Sequence, residues 1–372
     1  LTFHLLALPN TQTTRAYSLD GFSQVTIRFA RILKDLDHKV FLYASEENEA
    51  PCDELITVIK KEEIATLLGV NDTPYMYAYI EAWSPIWQLA NARMIKEIAK
   101  RKQPRDFICT IGGGSQEPVA KAHPDLMCVE YSIGYQGSFS PYRVFESRIW
   151  RHHTYAAQGI TDGRFFDTVI PCFFDPAEFR FNAQKEGFVL YVGRLIPRKG
   201  IGIACRAAKE AGVPLKIIGH GDKSLVTHGA EYIGALDMAE RNEWMSRASA
   251  VLCPTQYIEP FCCVAVEAMM CGTAVISTDF GGFVETVEHG KTGFRCSYLG
   301  EFVRAIRDCT KLTPAYIWNR AVQNYSMQAV APQYEAYFRR LSLLWDGGWD
   351  SLESLDSSCK SAEQVKAPQY AE

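Results

Sequence analysis

The segment YVGRLIPRKG, residues 191–200, places Arg194, Arg198 and Lys199 between an apolar run ending at Gly193 and a helical pattern beginning near Gly200. A loop leaving a strand and entering a helix suits an anion, because free backbone amides and the helix dipole both favour negative charge. Arginine can grip a phosphate bidentately, and lysine adds a compact point charge. Residues 259–277, EPFCCVAVEAMMCGTAVIS, carry two carboxylates eight positions apart, Glu259 and Glu267. A helix starting near Phe261 puts Glu267 in its second turn and Glu259 just before its N-terminus. The amides of Phe261, Cys262, Cys263 and Val264 then face the mouth of a cleft, where they could hold a diphosphate or a sugar hydroxyl. A carboxylate repels phosphate but accepts hydrogen bonds from hydroxyls. The two segments together fit a sugar diphosphate. Singly, each has a plainer reading: a solvated loop, a glutamate offsetting the helix dipole, and a surface charge.

These groups need elements to position them. Strands are predicted over 2–8, 39–44, 106–111 and 126–131, and helices over 22–36, 86–101 and 142–155. Pro171, Pro176 and the polar stretch 182–187 read as a link between domains. Strands follow at 188–192, 215–218, 231–233, 250–253 and 273–277, with helices at 200–211, 238–248 and 261–271. This alternation, with continuously apolar strands, means parallel sheets covered on both faces. The expected fold class is α/β: two doubly wound, Rossmann-like domains facing a central cleft. Ligands of such sheets lie at the carboxyl ends of the strands. The expected divisions are a first domain over 1–181, a second over 182–327, and a further helix over 328–345. The acidic stretch 346–372 reads as a mobile tail.

The 372 residues correspond to about 2.5 domain lengths. A hydrophobic content of 47% with 22% charged residues excludes a disordered or coiled-coil chain. The net charge of −4 divides into −3 over residues 1–180, +3 over 181–345 and −4 over 346–372. A mildly basic second half fits an anion site there, and the acidic first domain argues against a nucleic-acid partner. The twelve cysteines form no Cys-x-x-Cys pair and read as reduced, buried thiols. Leu1 to Pro9 is apolar but lacks a basic segment and a cleavage site, so no leader is expected there. No apolar run approaches the length of a membrane span. The expected location is cytoplasmic, with peripheral membrane contact left open and the oligomeric state unassigned. The basic residues 93–105 read as a solvated face, and His152-His153 lacks the partners of a metal site. The aromatic run 75–87 fits packing under a loop or stacking on a ligand.

Gly-Arg-x4-Lys-Gly followed by Glu-x7-Glu-Ala-Met-x-x-Gly-x-x-Val resembles family 4 of the retaining, nucleotide-sugar-dependent glycosyltransferases, which have the GT-B fold. LKIIGHGD (215–222), IPCFFDPAEF (170–179) and TDFGGFVETVEHGKTGF (278–294) are similar to further segments of that family. The resemblance is close over 170–296, looser over 1–169, and does not extend into the tail; it implies that 1–181 is the acceptor side, that 182–327 is the donor side, and that the helix over 328–345 crosses back to the first domain. It implies that Arg194 and Lys199 neutralise the donor diphosphate, that Glu259 orients the donor sugar, and that Glu267 holds ribose hydroxyls. Gly193, Gly219 and His220 would border the donor, and Gly21 would stand where the family has a glycine loop. That loop usually carries two adjacent glycines, whereas here Gly21 is followed by Phe22. Cys262 replaces a glycine the family commonly has. Where many members have a histidine facing the transferred sugar, the counterpart is read as Glu130, beside Tyr131. The turn IGGGSQEP, with Gly113 and Ser115, is read as facing the same cleft.

The implied activity is a retaining transfer from a nucleotide-diphosphate sugar, with UDP as the default base. The acceptor would be a lipid, polysaccharide or small molecule. No cofactor or metal is required, since cations and helix amides supply the positive field. A GT-B epimerase or sugar phosphorylase, or a non-catalytic sugar-nucleotide-binding protein, stands as the alternative.

Overall fold

A computed structural model describes residues 1–17, 20–69, 81 and 83–347. The first sheet contains β1 (Thr2–Leu6), β2 (Lys39–Ser45), β3 (Glu54–Ile59), β4 (Phe107–Thr110), β5 (Met127–Ile133), β6 (Tyr142–Phe145) and β7 (Asp167–Val169). Its strands are all parallel, in the order β3-β2-β1-β4-β5-β6-β7. The helices associated with it are α1 (Gly21–Asp35), α2 (Lys61–Leu68), α3 (Pro85–Arg101), α4 (Glu117–Ala122) and α5 (Arg148–Ala157).

The second sheet contains β8 (Val189–Val192), β9 (Leu215–Ile218), β10 (Glu231–Gly234), β11 (Ala250–Cys253), β12 (Ala274–Thr278) and β13 (Gly293–Cys296). It is also fully parallel, in the order β10-β9-β8-β11-β12-β13. Its helices are α6 (Ile201–Ala211), α7 (Met238–Arg247), α8 (Cys263–Met270), α9 (Phe283–Thr286), α10 (Leu299–Asp308) and α11 (Pro314–Tyr325). Strand order reverses between β1 and β4 and again between β8 and β11. Each reversal splays the following loops apart and opens a crevice at the carboxyl ends of the strands. The expected doubly wound α/β, GT-B architecture is therefore present.

The last described α-helix, α12 (Met327–Ser342), returns to the first domain. Val330, Tyr334, Tyr337, Phe338 and Leu341 are buried in the first-domain core. Phe338 packs edge-on against Phe3 and Phe107 at ring separations of 4.7 and 5.1 Å. The turn into this helix is tied down: Met327 N donates to Phe174 O, and Phe174 N to Tyr325 O, each at 2.8 Å.

Three local expectations are corrected. The helix expected over 142–155 is a strand, β6, followed by α5, with Ser147 as the helix cap accepting from Trp150 N. Arg143 of β6 makes a buried two-pronged pair with Asp167 of β7, at 3.0 and 2.6 Å, which fixes that strand edge. A short apolar run alone cannot separate strand from helix. Next, α8 begins at Cys263 rather than Phe261, because Cys262 holds a left-handed backbone that cannot continue a helix, while the Phe261 ring is buried against Tyr325. Finally, β3, α2, α4, β7 and β13 have no counterpart in the expected elements; all are only three to eight residues long. Residues 348–372, with most of the acidic tail, and 75–80 and 82 of the aromatic run lie outside the described residues.

Candidate functional site

A cavity of about 970 Å³ lies between the two domains. It is lined by the loops that follow β5, β6, β8, β9, β10 and β11 and by the start of α1. The second-domain wall holds Gly193, Arg194, Arg198, Lys199, Gly219, His220, Arg241 and residues 257–264. Among the described residues, Arg194 and Arg198 pair with no carboxylate. The Arg198 guanidinium stands 4.1 Å from the centre of the Tyr257 ring, and Lys199 Nζ 5.0 Å from it. Lys199 Nζ also donates to Glu259 Oε2 at 2.7 Å. Burial alone would lower the Lys199 ammonium, but the Glu259 carboxylate holds it well above its usual range. His220 is pushed down by burial and by the Arg194 charge, which favours the neutral imidazole.

The α8 start supplies the amides. Cys263 and Val264 occupy the first turn and line the cavity, so their N–H groups lack intrahelical partners and face it. Cys262 caps the helix in the left-handed region, at φ 71°. A glycine adopts that backbone freely, whereas a cysteine is strained in it. Glu267 sits in the second turn, as expected, but does not line the cavity. It is buried, and its Oε2 has no hydrogen-bond partner among the described residues.

The first-domain wall departs from expectation. Gly21 lines it as the first residue of α1, next to Asp20, whose carboxylate accepts from Ser23 N and Oγ as the helix cap. Burial pushes the Asp20 carboxyl up, and the bonds to Ser23 work against the shift. Glu130 does not reach the cavity. It is fully buried, accepting from Phe139 N and Ser140 N at 2.8 Å each and from the Tyr135 hydroxyl at 3.2 Å. Its carboxylate ties down the loop after β5, and burial pushes it up to about 7. Tyr131 is buried as well, stacked on Phe29 at 4.3 Å with its hydroxyl 3.1 Å from Thr26 Oγ1. Gly113 and Ser115 form a packed turn rather than a cleft wall. A Cβ at Gly113 would lie 2.9 Å from the Tyr135 ring, and Ser115 O accepts from Asn91 Nδ2.

The residues that do line the first-domain wall include Tyr135, Gln136, Glu146, Trp150 and His153. Glu146 follows β6 and presses against Gly134, where a Cβ would stand 2.3 Å from its Oε2. Burial pushes its carboxyl up to about 7, with the Cys172 thiol opposing the shift and Glu259 adding to it. Reading 142–145 as a strand would have exposed this position, because Glu146 then leaves a strand's carboxyl end. Tyr257 and Arg241 were passed over too, although Tyr257 stands only two residues before Glu259.

Other candidates fall away. An Asp-x-Asp spacing, of a kind that can hold a divalent metal, occurs at Asp35-Leu36-Asp37. It closes the C-terminal end of α1, roughly 20 Å along the helix from Gly21. No group of three or more His, Cys, Asp or Glu gathers among the described residues, and His153 stacks on Trp150. The basic face of α3 is mostly neutralised: Arg93 pairs with Glu63, Arg101 with Glu54 and Glu97, and Lys102 with Asp125. No described helix is long and apolar enough to cross a membrane.

Comparison with known proteins gives the geometry a context. Residues 175–311 match the family model described as "Glycosyl transferases group 1". Glycogen synthase of Mycobacterium tuberculosis is 34% identical over 204 residues, covering 50% of this chain and 46% of that protein. Phosphatidyl-myo-inositol mannosyltransferase of the same organism is 28% identical over 194 residues, 44% of this chain and 51% of that one. The chain thus spans about half the length of these relatives. Among solved structures, AviGT4, a glycosyltransferase involved in avilamycin A biosynthesis, superposes with a TM-score of 0.69 at 21% identity, covering 92% and 98% of the two chains. Anabaena HepE in complex with UDP-glucose gives 0.60 at 17% identity, covering 90% and 98%. The chain therefore has the two-domain GT-B fold, and its second domain carries the match to the group 1 glycosyl transferases.

Proposed function

We propose that this chain is a retaining glycosyltransferase that moves a sugar from a nucleotide-diphosphate sugar to an acceptor hydroxyl without a metal ion. UDP is the default nucleotide, in keeping with the UDP-glucose bound by HepE. The observation that carries the reading is one shared cavity: Arg194, Arg198 and Lys199 face the same space as the α8 amides and Glu259. The cations and amides favour a diphosphate, and Glu259 accepts hydrogen bonds from sugar hydroxyls. Glu267 does not line the cavity, but its Oε2 is buried and, among the described residues, unpartnered one helical turn behind the cavity-lining start of α8, and ribose hydroxyls are the partners we propose for it.

In the proposed reaction the acceptor oxygen bonds to the anomeric carbon on the face from which the diphosphate leaves. The bond from that carbon to the phosphate oxygen breaks, and its electron pair leaves with the diphosphate. The diphosphate takes up the acceptor proton. Arg194 and Lys199 stabilise the charge that grows on the leaving group, and such stabilisation lowers the barrier because it strengthens toward the transition state. Arg194→Ala and Lys199→Ala should each lower kcat by about 10²-fold, the scale for one preorganised charge partner. Unchanged turnover in both variants would refute the mechanism. The assay includes excess EDTA, and abolished transfer there would refute metal independence. Incubation with donor alone separates the epimerase reading, which requires a new sugar epimer to form without acceptor.

A further inference from the structure

The two walls of the cavity differ in chemistry. Among the described residues, every lysine and arginine that lines it, Arg194, Arg198, Lys199 and Arg241, belongs to the second domain, and the first-domain wall has neither residue type. It offers the Glu146 carboxyl, the Gln136 amide, and the rings of Phe22, Tyr135 and His153. These rings are held in place by one another and by Trp150: Phe22 meets Tyr135 edge-on at 5.8 Å, and His153 stacks on Trp150 at 4.7 Å. The other carboxylate on this wall, Asp20, is committed to capping α1. Glu146 is less committed: the Cys172 thiol donates to its carboxyl, which leaves further acceptor positions open. Among the described residues it has no cationic partner, Gly134 leaves room for its carboxyl, and it shares the cavity with Glu259 of the opposite domain.

A phosphorylated acceptor on this wall would meet a carboxyl group and no lysine or arginine. A neutral ring bearing hydroxyls fits better, since it can donate hydrogen bonds to the carboxylate and present its C–H face to the aromatic rings. We propose that the first-domain wall is a subsite for a neutral polyhydroxylated ring, a sugar or cyclitol without phosphate, held through Glu146 and Gln136 as acceptor. This rests on the donor occupying the second-domain wall. The subsite names the acceptor class that the donor reading leaves open. The half-buried Glu146, pushed up to about 7, accepts its hydroxyl bond most strongly once ionised.

The test keeps the two readings apart. UDP is first titrated into the full chain, and its failure to bind would refute the donor reading and this proposal together. With UDP saturating, saturation-transfer NMR measures binding of methyl α-glucoside, methyl α-mannoside, maltose and myo-inositol, then of glucose 6-phosphate and inositol 1-phosphate. At least one neutral ligand should bind, and more tightly than its phosphorylated counterpart. Glu146→Gln should weaken that ligand by about tenfold, or 1.4 kcal/mol, and UDP by less than threefold. Gln136→Lys changes an exposed residue, so folding is not at stake, and it should shift the preference toward the phosphorylated ligand. Binding of UDP with no neutral ligand, tighter binding of the phosphorylated ligands, or equal losses of polyol and UDP in Glu146→Gln would each overturn the proposal and leave the donor reading standing.

Discussion

Lys199 and Glu259, sixty residues apart in sequence, meet through a 2.7 Å ion pair on the wall of the cavity, and both side chains are largely buried. The family resemblance implies a diphosphate partner for the lysine and a sugar for the glutamate. In the fold each is also the other's partner, so under the proposed function a diphosphate competes with Glu259 for the lysine. Removing the competitor and removing the cation should therefore act oppositely on nucleotide affinity. Glu259→Gln should leave UDP affinity unchanged or raise it by up to about tenfold while lowering turnover. Lys199→Ala should weaken UDP by about tenfold or more, the scale of a charge-assisted contact. Calorimetric titration of UDP alongside steady-state rates separates these effects. If Glu259→Gln weakens UDP as much as Lys199→Ala does, the two residues do not compete.

Cys262 holds a left-handed backbone at φ 71° beside this pair. A side chain there costs on the order of 1–2 kcal/mol, and a glycine gives back about 0.5–1 kcal/mol through the greater freedom of the unfolded chain. Cys262→Gly should therefore stabilise the protein by roughly 0.5–1 kcal/mol, whereas Cys262→Ala should bring no such gain. Denaturant midpoints of the three proteins are the measurement. Equal midpoints for glycine and alanine would show that the strain has been absorbed elsewhere.

The second domain was legible in sequence because its chemistry sits in short contiguous motifs. Residues 193–200 lie on the loop leaving β8, and residues 259–267 span the end of the loop after β11 and the start of α8, so spacing along the chain is nearly spacing at the site. The first-domain wall is assembled otherwise. Glu130 was chosen for its place at a strand end, yet the chain bends after β5 and folds the 135–140 loop over it, which sequence periodicity does not encode. Glu146 was overlooked because Tyr142 to Phe145 is too short to declare itself a strand. It is one because it pairs in parallel with β5 and β7, and the Arg143–Asp167 pair, 24 residues apart, reinforces the link to β7.

Glu130 gives a pH test of that buried carboxylate. Its folded-state pKa, about 7, lies above the ordinary carboxylate value of 4.5. The folded protein therefore binds a proton more tightly than the unfolded chain. The resulting stability is fully present below about pH 4.5 and is lost as pH rises through 7. Glu130→Gln cannot titrate, so wild type should lose stability relative to it between pH 5 and pH 8. The scale is on the order of 1–3 kcal/mol, at about 1.4 kcal/mol per pKa unit. Paired urea denaturations at the two pH values cancel every other titrating group. A difference that does not change with pH would place the Glu130 carboxyl in its ordinary range.

Gly219 and Gly21 both border the cavity, but the fold needs only one of them to be glycine. Gly219 follows β9 at φ 150°, and a Cβ there would stand 1.8 Å from Gly193 O, the carbonyl immediately before Arg194. That is backbone against backbone, with no flexible side chain to give way. Alanine at 219 must push the β8 and β9 loops apart and displace Arg194 with them. Gly21 opens α1, and a Cβ built on it meets nothing within 4 Å. Alanine there should be neutral, or stabilising by up to about 1 kcal/mol through helix propensity. Gly219→Ala should therefore lower both Tm and UDP affinity, the latter by about tenfold or more, the loss expected when a charged anchor is displaced. Gly21→Ala should keep Tm and lose little UDP affinity. If Gly21→Ala instead weakens UDP as strongly while Tm holds, the start of α1 contacts the nucleotide closely enough that a single methyl group obstructs it, and the first domain takes part in holding the donor.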